Sequence, residues 1–146
     1  VQIKGVDSTQ RMTKADLAAG AKLIIRERLL THGDQHAESG FVVNLNGEDS
    51  SANVISRSVA KNHSTQVFNA EINGNAKCAG HSECDAIIMD HAKISAIPKI
   101  VANDIDAALI HEAAIGKIAG EQLIKLMTLG LTEQEAEAQI VNGFLK

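Results

Sequence analysis

The eight residues from Cys78 to Asp85, reading CAGHSECD, gather two thiols, an imidazole and two carboxylates, and His111 and Glu112 follow as an adjacent pair. Thiolate and imidazole suit iron, copper and zinc, and carboxylates complete such sites or tune their charge. The chemistry first implied is therefore metal or iron-sulfur chemistry. Five residues lie between Cys78 and Cys84, which is neither zinc-knuckle spacing nor the CxxC of a redox motif. The competing reading is two small core hydrophobes, because free cysteines are among the most buried residues. On one continuous strand both sulfurs share a face, with His81, Glu83 and Asp85 on the other. Ala79-Gly80 is where that register could break.

Adjacent residues on a strand face opposite ways, so one of His111 and Glu112 is expected to face inward. An inward Glu is costly unless paired or metal-bound, whereas a lone inward His is commonly a hydrogen-bonded structural residue. A cysteine-nucleophile enzyme would use Cys84 to attack, His111 as base and Glu112 to orient it. The adjacency of His111 and Glu112 argues against that triad. His32, His36, His63 and His91 show no spacing that separates them from surface histidines. Gly116-Lys117 lacks the Ser or Thr of a P-loop and has His111 at the position of its first Gly, and no dinucleotide-type Gly-rich turn occurs. A nucleotide-driven process would need its ATPase on a partner.

The elements that must position these groups come from 146 residues that are 45% apolar, enough for one domain or one with a small appendage. Two cysteines make no disulfide framework, and no apolar run approaches the roughly 18 residues of a membrane span. A reducing, cytoplasmic setting without membrane insertion is expected. Val1 follows neither an initiator Met nor a signal pattern, so the chain reads as a piece of a longer polypeptide. Net charge is -4 and no Lys/Arg cluster is interleaved with aromatics, which disfavours nucleic acid as a partner. Aromatic content is 2%, so Val, Ile, Leu and Ala must fill the core. Such side chains suit the narrow interior of a β-solenoid.

Short β-branched or alternating runs occupy residues 21–30, 41–45, 53–60 and 66–72. In the last of these Phe68, Ala70 and Ile72 share one face while Val67, Asn69 and Glu71 share the other. Asn46-Gly47 and Asn73-Gly74 are turn signals. Ala76, Ala92 and Ala107 recur at intervals of 16 and 15 in similar four-residue contexts, as successive coils or half-coils of a parallel β-helix would leave them. A β-sandwich is the alternative. The last thirty residues change character: Ile118, Leu123, Leu126 and Met127 with a Gly130 stop read as one helix. Thr132 to Glu135 forms a capping box for a second, striped by Ala136, Ile140, Val141, Phe144 and Leu145. The expected division is a β-helix core over residues 1–112 and a helical segment over 113–146. Two short helices cannot cover both apolar stripes, leaving Leu126, Met127, Ile140 and Phe144 as a candidate partner-binding face.

The segments HEAAIGKI from His111, EQL from Glu121 and GLTEQEAEAQIVNGF ending at Phe144, with SRSVAKN, CDAIIMD and IPKI upstream, resemble the C-terminal core of the SufB/SufD family of iron-sulfur cluster assembly proteins. The resemblance covers roughly residues 53–146. It implies a right-handed parallel β-helix followed by a small helical domain, and a non-catalytic scaffold. The implied partners are the ABC-type ATPase SufC, bound through the helical end, and a SufB/SufD paralogue or a second copy, paired through the β-helices. It also implies a transient iron-sulfur cluster, assembled near the pairing interface. His111 matches the His that opens the family's HEA segment, and Glu112 matches the Glu of the SufB type. A Cys found in some SufB proteins six residues before the proline falls on Ala92, which leaves Cys84 and Cys78 as the available thiolates. A SufD-like partner of the ATPase that holds no metal is the alternative.

Overall fold

The computed structural model describes residues 4–146. Eight strands follow in order: β1 (Ser8–Leu17), β2 (Lys22–Thr31), β3 (His36–Leu45), β4 (Ser50–Ala60), β5 (Thr65–Gly74), β6 (Cys78–Ile88), β7 (Lys93–Ala102) and β8 (Ala108–Gly116). Odd strands form one parallel sheet, β1-β3-β5-β7, and even strands the other, β2-β4-β6-β8. The chain is thus a β-solenoid of four coils, each contributing one strand to each sheet, and the sandwich alternative falls. Each coil advances 28 residues from Ser8 to His36 and 29 from His36 to Thr65. The alanine spacing of the sequence is the half-coil, since Ala76, Ala92 and Ala107 all lie in corners between strands.

Alternation places one face of every strand inside. Phe41, Val43, Leu45, Val54, Phe68 and Ile72 form the centre of the core, with the Phe41 and Phe68 rings tilted at 49° and 5.8 Å between centroids. Corners repeat from coil to coil: Gly33, Asn62 and Asp90 all have φ between 55° and 59°. Asn62 Oδ1 accepts from the Gly33 amide at 2.9 Å, and Asp90 Oδ2 accepts from the Asn62 amide at 2.9 Å. Short polar side chains tolerate this left-handed backbone and satisfy the amide of the coil below.

Asn46-Gly47 lies in the corner between β3 and β4 as expected, whereas Asn73-Gly74 does not turn. After β3 the left-handed residue is Asp49, two positions beyond Gly47, and Asn73-Gly74 ends strand β5. Asn73 joins a side-chain ladder, donating to Asn44 Oδ1 at 2.9 Å, while Asn44 donates to Asp16. A Cβ on Gly74 would lie 2.8 Å from the Ala107 methyl, so close packing requires glycine here.

Strand β8 runs through residue 116, and the helices follow as α1 (Gly120–Thr128) and α2 (Glu133–Phe144). Gly130, at φ 96°, closes the turn after α1. The capping box of α2 is complete: Glu135 N–H donates to Thr132 Oγ1, and Glu135 Oε2 accepts from the Thr132 amide. Helix α2 buries Ala136 and Val141, and Glu137 pairs with Lys61 at 2.5 Å. Arg28 on β2 donates to the carbonyls of Leu145 and Lys146, at the end of α2 where a cation complements the helix dipole. No helix among the described residues is long and apolar enough to cross a membrane.

Candidate metal centre

Strand β6 is continuous through Ala79-Gly80, so its side chains alternate without interruption. Cys78, Ser82, Cys84 and Ala86 are buried inside the solenoid, and His81, Glu83 and Asp85 face outward. Gly80 is inward too, where a Cβ would meet Leu109 at 2.8 Å and Ile72 at 2.9 Å. Both cysteines are free. Six residues of extended strand separate them, about 20 Å, so no single ion can bridge the two sulfurs.

Parallel pairing stacks one residue per coil. Glu27 on β2, Ser56 on β4 and Cys84 on β6 form one interior column, which exposed Ala113 on β8 continues in register. Glu27 is a carboxylate within the solenoid, and its neighbours satisfy it. Arg11 pairs with Oε2 at 2.8 Å, Ser56 donates to Oε1 at 3.0 Å, and Ser39 donates to Oε2. Burial, then the charges of Asp85 and Glu27, push the Cys84 thiol up to about 11. The Cys78 thiol is raised as well, chiefly by burial.

His111 is the ladder neighbour of Ser82, and it shares the inward face. His111 Nδ1 and Ser82 Oγ are both buried atoms without a hydrogen-bond partner. Cys84 lies two residues further along the same face, with its Cα on the order of 8 Å from that of His111 by strand spacing and rise. Desolvation, then the charge of His81, lowers the His111 pKa, against a weaker opposing effect of Glu112. The ring is thus held neutral, the form that offers a nitrogen lone pair. The interior of the last two coils therefore presents one thiol, one neutral imidazole and one hydroxyl, the latter two lacking protein partners.

Glu112 points the other way. It is exposed on the outer face, with Oε2 3.4 Å from His81 Nε2, and Glu83 is its ladder neighbour. A hydrogen bond with Asp85, then desolvation, raises the Glu83 pKa. A Cys84–His111–Glu112 relay does not form, because the strand separates Glu112 from the imidazole. The structure thus brings Cys84 and His111 into one interior, sets Cys78 toward its other end, and puts Glu112 outside. Sequence reasoning missed Glu27 and Ser82. Glu27 was detectable as a carboxylate in phase with Leu23, Ile25 and Leu29 on an otherwise apolar face.

Of the face expected to bind a partner, Met127 is exposed, while Leu126, Ile140 and Phe144 are half-buried. Helix α1 buries no side chain and also exposes Ile124, and its C-cap residue Leu129 is exposed as well.

Residues 2–144 match a family model described as SUF system FeS cluster assembly, SufBD core domain. The chain is 35% identical over 127 residues to an iron-sulfur cluster assembly SufBD family protein of Methanothermobacter thermautotrophicus, covering 86% of this chain and 31% of that protein. A protein of the same description from Methanocaldococcus jannaschii is 40% identical over 105 residues, 71% of this chain and 33% of its own. One from Pyrococcus horikoshii is 38% identical over 120 residues, 81% of this chain and 27% of its own. The chain spans a third or less of the length of these relatives.

Proposed function

Because the chain belongs to the SufBD core-domain family of the SUF system for iron-sulfur cluster assembly, we propose that it is the core part of a scaffold on which a cluster is assembled as cargo. Cys84 supplies sulfur ligation, and His111 supplies nitrogen. The observation that carries this reading is the buried, unpartnered Nδ1 of His111 on the same interior face as Cys84. A buried polar atom without a partner is costly, and a metal or metal-sulfur group would relieve it. The raised Cys84 pKa means that cluster binding must release a proton, since the thiolate is the ligand. Cys78, about 20 Å along the strand, contributes little to ligation. Glu112, exposed on the outer face, is left out of this interior set.

The test is anaerobic reconstitution with ferrous iron and sulfide. Wild-type chain is expected to retain iron with visible sulfur-to-iron absorption, while Cys84→Ser and His111→Ala each lose most of both and Cys78→Ser retains them. No iron on the wild-type chain would favour the metal-free, SufD-like reading, and equal sulfur-to-iron absorption in all variants would place the cluster elsewhere.

For partners, we propose that α1 and the adjoining part of α2 dock an ABC-type ATPase, and that a paralogue or second copy pairs through the solenoid. The exposed Ile124, Met127 and Leu129 support the first. Met127→Asp should weaken binding of such an ATPase at least tenfold by calorimetry, with helix content unchanged. Unaltered affinity would remove this surface from consideration.

A further inference from the structure

The outer wall carries a second donor set that the interior reading does not use. His81, Glu83 and Glu112 each offer one ligand atom, and these atoms lie within 4.8 Å of one another. His81 Nε2 and Glu112 Oε2 are already 3.4 Å apart. Two ligands on one tetrahedral ion with bonds of about 2.1 Å are separated by roughly the same distance. The set is built by register rather than by a loop: Glu83 on β6 and Glu112 on β8 are direct ladder neighbours, and His81 precedes Glu83 by two residues on the same face.

Two observations point to a ligand at this cluster, although Arg57 on β4 is near enough to act on Glu83. Like charges directly opposed across a ladder destabilise it, and neither Glu83 nor Glu112 forms an ion pair with Lys or Arg among the described residues. Independently, Asn53 is the ladder neighbour of His81, and its Oδ1 is buried without a hydrogen-bond donor. An orphan acceptor beside the donor set suits a metal-bound water, whose hydrogens need such a partner.

We propose that the outer face of the β2-β4-β6-β8 sheet holds a divalent transition-metal ion on His81 Nε2 and the carboxylates of Glu83 and Glu112, separate from the interior thiol. One imidazole with two carboxylates selects Fe2+, Mn2+, Co2+ or Zn2+ over the hard Mg2+ and Ca2+ and over thiophilic Cu+. Three protein ligands leave coordination positions open to water. The proposal stands whether or not the interior binds a cluster.

The test is titration of the purified chain with Co2+, followed by visible absorption and calorimetry. Wild type should bind an ion at the outer set without sulfur-to-cobalt absorption, His81→Asn and Glu83→Gln should each weaken that binding at least tenfold, and Glu121→Gln on α1 should bind as wild type does. Circular dichroism should be unchanged throughout, since the substituted outer side chains lie outside the core. Unchanged affinity in His81→Asn and Glu83→Gln, or no binding by wild type at millimolar Co2+, would each overturn the proposal.

Discussion

Native Cys84 is expected to react with iodoacetamide at neutral pH at least about a hundredfold more slowly than the same thiol in the urea-unfolded chain. The thiolate is the nucleophile, and raising the pKa from 9.0 to about 11 cuts its population by roughly that factor before access is considered. The same shift links to stability. The folded state holds the Cys84 proton more tightly than the unfolded state does. This contribution is therefore fully present below about pH 9 and is lost as pH rises through about 11. A shift of this size corresponds to about 3 kcal/mol. Urea melts at successive alkaline pH values should show wild type losing that much more stability than Cys84→Ala. Peptide mapping after alkylation separates Cys84 from Cys78. Alkylation of native Cys84 at the unfolded rate would mean that the thiol is not in the dry interior described.

Replacing Phe41 with alanine is expected to remove about 3 to 5 kcal/mol of stability. Its side chain is 2% exposed, packs on Phe68 and lies beneath the Arg11 guanidinium, which is 5.7 Å from the ring centroid. The solenoid interior is narrow and lined by Val, Ile, Leu and Ala, so neighbouring coils cannot collapse into the space without breaking ladder hydrogen bonds. Against a total of roughly 5 to 15 kcal/mol for a domain, the variant should unfold at markedly lower urea. A loss below about 1 kcal/mol would show that the coils repack and that the core is less tightly specified than native packing requires.

Much of this architecture could be read from residues whose local physics agrees with the fold. The alternation of Phe68, Ala70 and Ile72 needs only a strand with one buried face, and the Thr132 to Glu135 capping box needs only its own four residues. The continuous β6 that puts both sulfurs inside is likewise a local matter. Asn73-Gly74 misled because its composition is that of a turn, whereas the fold uses Asn73 for a ladder between coils and Gly74 for close approach. Coil-to-coil requirements of that kind have no local signature. Which of His111 and Glu112 faces inward depends on the pairing of His111 with Ser82, 29 residues earlier. The His81, Glu83 and Glu112 set was invisible for the same reason, because it spans two strands. The carboxylate of Glu27 enters the interior only because Arg11, Ser39 and Ser56 from three other strands satisfy it.

The interior and outer donor sets predict different iron environments, so Mössbauer spectroscopy of the chain reconstituted anaerobically with isotopically enriched iron and sulfide separates them directly. Assembly of a cluster at Cys84 and His111 predicts a tetrahedral, sulfur-rich iron signal that disappears in Cys84→Ser and persists in His81→Asn. A spectrum containing only oxygen- and nitrogen-ligated iron, or a sulfur-ligated signal unchanged by Cys84→Ser, would contradict the interior site.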